Sequence, residues 1–429
     1  MTPGHTHSHG GRAPATNASR AVLVGLTIAL LLVTVLGLIA LWPNPDARPE
    51  RTALLGPGVE VLSVEVTALS SGEDPTMPRT AEALGRSAGI SGETVQVEIP
   101  PEVAADGVRV GDKLKVLSIE EAGEGAPYYY FDHERGLPLG ILFVLYLVLV
   151  ALVARGSGLR AMLGLGTGVA IVVWFMMPAI LAGEHPVLVA LVAGSAMIFP
   201  CVYFAHGISV RTTTAVLGTF GGIAITVLAV LAAGRPTGMT GTEGEAAKFL
   251  ATGYPQMSLS AVFLAGVIIS GLGALNDVTI TQASSVWELR AAMPTASRWS
   301  VFTSAMRIGK DHIASTVYTL AYAYIGSALP TLLYASTLDR SLLGTLTTGE
   351  IAAEVFRTLI ASIGLVLAIP LTTGIATLLA ASRASSGRRA MRDGAGWRAM
   401  RDGAGWRVLR GGAGRRAEQD RRLRRLDER

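Results

Sequence analysis

The sequence predicts an α-helical polytopic membrane protein with about eight transmembrane helices and a small extracytoplasmic β-rich domain between helices 1 and 2. Half of the 429 residues are hydrophobic and only 16% are charged. The apolar residues form runs of about 17 to 25 residues, near the ~20 helical residues that cross ~30 Å of hydrocarbon. One long polar insertion, residues 43–136, separates the first run from the others.

Eight apolar runs define the predicted spans. They are Ala21 to Trp42, Leu137 to Ala154, Ala161 to Ala182, Val187 to Ala205, Thr214 to Ala233, Leu259 to Leu275, Ile313 to Tyr334 and Val355 to Ala380. The first run has no small-x-small cleavage site after it, which favours a retained anchor at 21–42, with a cleaved signal peptide as the alternative. The other seven form a predicted membrane domain at 137–380.

The distribution of arginine and lysine predicts the orientation, because short basic loops stay on the cytoplasmic side. With the amino terminus inside, the inner loops hold Arg155, Arg160, Arg211, Arg290, Arg298, Arg307 and Lys310, and the outer short loops hold Arg235, Lys248 and Arg340. Fifteen further arginines follow residue 380. We therefore expect a multi-pass protein of the bacterial plasma membrane with both termini in the cytoplasm.

The insertion at 43–136 carries 17 acidic and 8 basic residues, so we expect it to face outward. Period-two patterns bounded by Gly, Pro and Asp are typical of strands, and they occur at Val59 to Val66, Thr94 to Ile99 and Lys113 to Ile119. Gly107 to Val116 reads as a strand, a tight turn at Gly111-Asp112 and a second strand. These patterns predict a small β-barrel or sandwich, with Ser70 to Ile90 as a mobile loop.

Two tails flank the predicted membrane segments. Residues 1–20 are expected to be a disordered cytoplasmic tail, in which His5, His7 and His9 are either a transition-metal site or incidental. Residues 381–429 contain an Arg/Gly-rich nine-residue repeat that cannot bury a core, so disorder is expected there too. This tail either contacts anionic lipids, with Trp397 and Trp406 at the interface, or has no specific role.

Several enzyme signatures are missing from the sequence. Gly309-Lys310 is followed by Asp311, so no phosphate-binding G-x4-G-K-[ST] loop occurs, and neither H-E-x-x-H nor G-x-S-x-G is present. The single cysteine, Cys201, excludes an intrachain disulfide. We expect no enzymatic activity, no cofactor and no nucleic-acid partner.

Polar or small residues follow one face of each of the last three spans. These faces comprise Gly266, Ser270, Gly273 and Asp277 in span six; Arg307, Asp311, Ser315, Tyr318 and Tyr322 in span seven, beside a stripe of His312, Thr316 and Thr319; and Glu350, Glu354, Arg357, Ala361, Gly364, Ala368 and Thr372 in span eight. We expect the three helices to pack with these faces together. Arg307 with Asp311 and Glu354 with Arg357 are the predicted structural ion pairs.

Charged groups in membrane segments persist mainly where they line a polar cavity or pathway. The candidate substrate- or ion-binding residues are therefore Asp277, Asp311, His312, Ser315 and Thr316, near the cytoplasmic end. Asp277 is also expected to cap an amphipathic helix from Val278 to Ala291 that lies along the inner membrane surface and ends before Pro294. Prolines 178, 200, 330 and 370 are either kinks that line a site or ordinary membrane prolines.

Four stretches carry a resemblance to a known family. They are G-L-G-A-L-N-D-V-T-I-T-Q-A-S-S-V-W-E-L-R-A-A-M-P at 271–294 together with R-I-G-K-D-H-I-A-S-T-V at 307–317, F-M-M-P-A-I-L-A-G at 175–183, A-H-G-I-S-V-R-T at 205–212 and F-R-T-L-I-A-S-I-G at 356–364. The chain resembles the YibE/F family of bacterial membrane proteins, in its high-GC Gram-positive form, over roughly residues 20–380. The resemblance implies a multi-pass plasma-membrane protein and names no substrate. Lys310 and Tyr318 depart from the expected arginine and asparagine.

Two functions are compatible with these features. The first is a permease-like or channel-like protein for a small solute or ion, with the polar faces of spans six to eight as its route. The second is a non-transporting envelope scaffold or stress factor whose outer β-domain binds a partner. The lipid bilayer is the common partner of both, and an oligomer is compatible with either.

Overall fold

The computed structural model describes residues 17–44, 55–70, 77–119 and 127–380. The histidines of the amino-terminal tail and the whole carboxyl-terminal repeat lie outside these residues. The chain divides into two compact units, which we call the barrel unit (residues 49–159) and the membrane unit (residues 1–48 and 160–429).

The barrel unit contains five strands that close into a barrel in the order β1-β2-β3-β5-β4. The strands are β1 (Val59–Leu69), β2 (Arg79–Gly85), β3 (Thr94–Ile99), β4 (Lys113–Ile119) and β5 (Tyr128–His133). All neighbours pair antiparallel except β3 and β5, which are parallel. A short helix, α2 (Pro101–Asp106), connects β3 to β4. The arrangement is that of an OB-fold barrel.

Alternating side chains of the strands fill the barrel interior. Val64, Val97 and Leu114 are fully buried, whereas Gln96 and Lys115 point outward. The predicted strands at Thr94 to Ile99 and Lys113 to Ile119 are confirmed.

Two local predictions for this unit were wrong. Part of the stretch predicted as a mobile loop forms β2, in which Ala81 and Ala83 face the core and pair with β3. The strand predicted before Gly111 is absent. Helix α2 is capped by Gly107, whose φ is 114°, and the chain re-enters the sheet only at Lys113, although Val108 packs in the barrel core.

Thirteen helices occur in the described residues. Besides α2 they are α1 (Asn17–Ala40), α3 (Gly136–Ile171), α4 (Met177–Leu181), α5 (Pro186–His206), α6 (Val210–Gly234), α7 (Glu245–Gly253), α8 (Leu259–Ser270), α9 (Leu272–Ala292), α10 (Arg298–Ser327), α11 (Leu329–Ser336), α12 (Leu342–Leu346) and α13 (Gly349–Leu379). A π-helical turn, Val172–Met176, joins α3 to α4.

Six helical segments of the described residues are long and apolar enough to cross a membrane. They are Arg20–Ala40, Gly136–Leu181, Pro186–His206, Val210–Gly234, Leu259–Ala292 and Gly349–Leu379. The predicted second and third spans both lie in Gly136–Leu181, where Arg155 leaves helical geometry at φ 51° and ψ −140°. The predicted seventh span is divided between α10 and α11, which meet at Ala328.

The core of the membrane unit forms where α6, α9, α10 and α13 pack together. The amphipathic surface helix expected after span six is a correction: α9 runs without interruption from Leu272 to Ala292, and Asp277 lies inside it instead of capping it. Leu275, Val278 and Val286 of α9 are buried, so this helix belongs to the core.

Candidate functional site

The five predicted binding residues lie on two helices, Asp277 on α9 and the other four on α10. Asp277 is exposed on α9 and interacts electrostatically with His206, at the end of α5. Asp311 and Ser315 are exposed on α10, with His312 and Thr316 half-buried beside them. Among the described residues, no hydrogen bond or ion pair joins any two of these five side chains, and Ser315 Oγ donates only to the backbone oxygen of His312, at 3.2 Å.

The two predicted ion pairs differ in outcome. Arg357 Nη1 donates to Glu354 Oε1, and both side chains are about one quarter exposed. Arg307 and Asp311 form no ion pair in the described part of the chain, and both remain exposed. The spacing of four residues permits a pair but does not require one, because the side chains can extend along the helix in different directions.

A seam of buried polar side chains runs through the core of the membrane unit. Thr219 of α6 and Thr279 of α9 share a hydrogen bond of 2.7 Å. Gln282 of α9 donates through Nε2 to Thr373 Oγ1 of α13, at 2.7 Å, and to the backbone oxygen of Ala305 in α10, at 3.0 Å. These bonds connect four helices, as polar side chains do where no water reaches.

Glycines bring the same helices into close contact. A Cβ at Gly218 would overlap Thr372 Oγ1, and one at Gly364 would overlap Thr226 Oγ1. A Cβ at Gly309 would lie 2.7 Å from Ile369 Cγ2. Gly266 and Gly273, predicted to do this in span six, have no neighbour within 4 Å of such a position. The seam is therefore closely packed, and the small residues that matter lie on α6, α10 and α13.

An acidic cleft of about 330 Å³ opens where the end of α10 meets the start of α13. Its polar lining consists of Glu243, Glu350, Glu354 and Arg357, with Ser327 and Thr331. Three carboxylates face one guanidinium, so the cleft carries an excess of negative charge. Such a concave site attracts and holds cations.

Local structure positions these acidic groups. Gly244 adopts φ 89°, and a Cβ there would lie 3.0 Å from Glu350 Oε1, so glycine lets the loop approach the carboxylate closely. Ser260 Oγ donates to the backbone oxygen of Met239 at 3.0 Å and holds the same loop against α8. Thr240 Oγ1 donates to Glu243 Oε1 at 3.2 Å.

Glu354 is the central acidic residue of the cleft. Its Oε1 accepts from Arg357, whose guanidinium carbon lies 5.6 Å from the ring centroid of Phe263. Its Oε2 is buried and has no hydrogen-bond partner. Because a buried carboxylate oxygen without a donor is costly, this atom is available to a cationic or hydrogen-bond-donating ligand.

A second cavity, of about 220 Å³, adjoins the cleft and also has Glu354 in its lining. The rest of that lining is mainly apolar, including Tyr324, Ile325, Leu332 and Leu359. In the described residues no three His, Cys, Asp or Glu side chains converge in a way that could hold a metal ion. Glu354 is therefore shared by an acidic cleft and an apolar cavity.

Sequence reasoning identified part of this cleft. The spacing of Glu350, Glu354 and Arg357 places them on one face of span eight. From the sequence we interpret this face as a surface that packs against other helices, whereas in the structure the three residues line the cleft. Glu243 was missed, because it lies in a loop that is near α13 only in the folded chain. Gln282 and Thr219 were missed because isolated polar residues in apolar runs carry no periodic signal.

Comparison with known proteins gives one match. Neither the curated proteins nor the solved structures compared contain a chain that matches this one. A family model described as YibE/F-like protein matches residues 142–382, more than half of the chain. The match covers the polar seam and the acidic cleft and leaves the barrel out. The chain is therefore a membrane protein that belongs to the YibE/F-like family.

Proposed function

We propose that this protein is a permease-like carrier for a small organic cation, which binds in the acidic cleft with its charge against Glu354. The observation that carries the proposal is the buried, unpartnered Glu354 Oε2 between an acidic cleft and an apolar cavity. A carboxylate in a membrane helix persists mainly where it has a functional partner. The apolar cavity would accept the substituents of the cation.

The proposed topology has eight spans in the bacterial plasma membrane and both termini in the cytoplasm. Gly136–Leu181 contains 46 residues, about 69 Å at 1.5 Å per residue, which is enough for two crossings joined at Arg155. Helix α10 supplies the remaining span. The barrel then lies outside the membrane. In this topology the loops after α6 and α10, which build the cleft, are extracytoplasmic.

In this proposal the cleft is the outer half of the route. The seam beneath it is closed by the glycine contacts and by the Gln282 hydrogen bonds. Passage therefore requires α10 and α13 to separate, and Pro370 inside α13 provides a position at which this helix can bend. We propose neither a cofactor nor an enzymatic step.

Uptake of radiolabelled tetraethylammonium into proteoliposomes tests the proposal. Glu354→Gln keeps the shape of the side chain and removes its charge, so we expect saturable uptake to fall at least tenfold. Glu245→Gln, in exposed α7 outside the lining of the cleft, is the matched control and should retain uptake. Equal uptake by both variants, or no saturable uptake by the wild type across a series of organic cations, would contradict the proposal.

The scaffold alternative is supported by a different observation. Val61 of β1, Leu117 of β4 and Tyr129 of β5 are in register, and Val61 and Tyr129 are about 40% exposed on the outside of the barrel. Such an apolar row can bind a protein partner. Photo-cross-linking from position 129 tests this: one abundant partner, together with absence of cation uptake, would favour the scaffold.

Lipid contacts complete the proposed set of partners. Anionic lipids are the proposed partners of the arginines in residues 381–429, each of which gains roughly 1 kcal/mol near an anionic leaflet. Neither proposal includes a nucleic-acid partner. Vesicle flotation with and without phosphatidylglycerol, using the full chain and one shortened after residue 380, separates this contribution from the binding of the helices.

A further inference from the structure

The outward face of α10 is polar over most of its length. We call the exposed residues Arg307, Asp311, Ser315, Tyr318 and Tyr322 the α10 face. The two tyrosines are 60% and 70% exposed, and their ring centroids lie 6.4 Å apart. The opposite side of the helix, with Val301, Ala305 and Gly309, is buried against its neighbours. Lys310, Ile308 and Ile325 of α10 are exposed as well, so the uncovered surface of this helix is mainly polar with single aliphatic residues.

Other long helices of the membrane unit present a different surface. The exposed large residues of α13 are Leu359, Ile363, Leu367, Leu371 and Leu378. Those of α1 are valines, leucines and isoleucines. Aliphatic faces of this kind suit contact with lipid chains, whereas the α10 face does not.

Within the described residues, the two charges of the α10 face have no partner. Arg307 and Asp311 lack a side-chain hydrogen bond or ion pair in this part of the chain. Asp311 lies about 20 Å from the start of a helix about 45 Å long, so it is near the middle of α10. If the whole of α10 is taken as the proposed seventh span, instead of Ile313 onward, these charges lie within the membrane, where uncovered charges are unfavourable and normally pair with one another.

We propose that the α10 face is the interface with a second copy of this chain, related by a two-fold axis that runs along the helix. In such an isologous contact, the long side chain of Arg307 in one copy reaches Asp311 of the other, which lies one helical turn away along the axis, and the reverse pair forms as well. The two residues are one helical turn apart, so the pairs neutralise both charges. The tyrosines of the two copies stack further along the same contact.

Charge complementarity selects a second copy over other occupants. The face carries one arginine and one aspartate at adjacent turns, so it is complementary to itself when turned through 180°. Lipid chains offer no partner for either group. The interface is independent of the cation cleft, because none of these five residues lines it.

Disulfide cross-linking in native membranes tests the interface directly. In a Cys201→Ser background, Ser315→Cys on the α10 face is compared with Leu367→Cys on the aliphatic face of α13. Because a two-fold axis places the same residue of both copies at the same depth, we expect oxidation to convert most of the Ser315→Cys protein into a dimer. The Leu367→Cys protein should stay monomeric. Monomer from both variants, or an adduct of Ser315→Cys with a different polypeptide, would overturn the proposal.

A charge exchange gives a second measurement that does not depend on cysteine geometry. Asp311→Arg, added to Ser315→Cys, places like charges across the interface, so we expect dimer formation to fall at least tenfold. Adding Arg307→Asp as well restores both pairs in exchanged form and should restore the dimer. Failure of the double exchange to restore a dimer, in protein that still elutes as a single folded species, would overturn the proposal. Cation uptake is not used in either readout, so the failure of one proposal is distinguishable from failure of the other.

Discussion

The barrel unit and the core of the membrane unit are built with opposite polarity. In the barrel, Val64, Val97 and Leu114 are fully buried, and polar side chains occupy the alternate, outward positions. In the membrane unit, Gln282 and Thr373 are buried, and leucines cover the outside of α13. The surrounding medium explains this difference. In water, burial of apolar side chains stabilises the fold, whereas in lipid the apolar side chains can remain outside and the helices associate through close packing and hydrogen bonds.

The α10 face is the exception that this comparison reveals. An exposed polar surface of this kind is common on a domain in water such as the barrel. It differs from the aliphatic surface of α13, the helix against which α10 packs. The following four substitutions test how far the contrast between the two units holds, from the largest expected effect to the smallest.

Leu367→Arg should have the largest effect. Leu367 is 47% exposed on α13, and an arginine at the centre of a membrane helix costs about 3 kcal/mol. Leu84→Arg, at a barrel position that is 40% exposed, should change stability by less than about 0.5 kcal/mol, because water solvates the new charge. Yield of membrane-inserted protein and thermal unfolding in detergent measure both. Equal losses for the two variants would contradict the contrast.

Gly364→Ala tests the close packing that replaces an apolar core in the membrane unit. The new methyl group would overlap Thr226, so we expect a loss of about 1 to 3 kcal/mol in the free energy of unfolding. Gly374→Ala on the same helix meets nothing within 4 Å and should stabilise the protein by about 0.5 to 1 kcal/mol. Thermal unfolding of the two variants should therefore shift in opposite directions. A shift in the same direction would indicate that the helices are not in close contact.

Gln282→Leu tests the hydrogen bonds of the polar seam. The substitution removes two bonds, each worth about 0.5 to 1.5 kcal/mol, and also removes a buried Oε1 atom that has no partner. We expect a net loss of about 1 kcal/mol. The exposed Gln256→Leu is the control and should leave the unfolding temperature unchanged. A more stable Gln282→Leu variant would show that the seam is retained for movement and not for stability.

Asp132→Asn should have the smallest effect, which is present above about pH 4 and disappears in acid. The Arg135 guanidinium donates a hydrogen bond to Asp132 and, with the backbone N–H of His133, lowers the pKa of this carboxyl group. A lowered folded-state pKa adds stability that is present above the unfolded pKa, about 4, and is lost as the pH falls through the folded value. The protection factors of the β5 amides, corrected for intrinsic exchange, should therefore decrease below about pH 4 in the wild type and change less with pH in the variant. Identical pH profiles would exclude this contribution.

The acidic cleft shows why part of the site could be predicted and part could not. Glu350, Glu354 and Arg357 share a helical face, and that spacing is a property of the sequence. Glu243 joins them because Gly244 lets a loop approach Glu350, a contact between residues about one hundred positions apart. Asp277 lies on α9, and Asp311 and His312 lie on α10, so their role in binding stays a prediction that helix periodicity alone cannot decide.

The sequence by itself determined the apolar helices, the strands at 94–99 and 113–119 and the family, because each depends on local periodicity or on motifs, and it left a barrel and a sandwich both open. It did not determine β2, the helix break at Ala328, the course of α9 through the core or the side of α10 that faces outward. These depend on which helices and strands become neighbours. Tertiary packing decided them, because burial of a side chain is set by residues far away in the chain, and periodicity shows only which residues share a face.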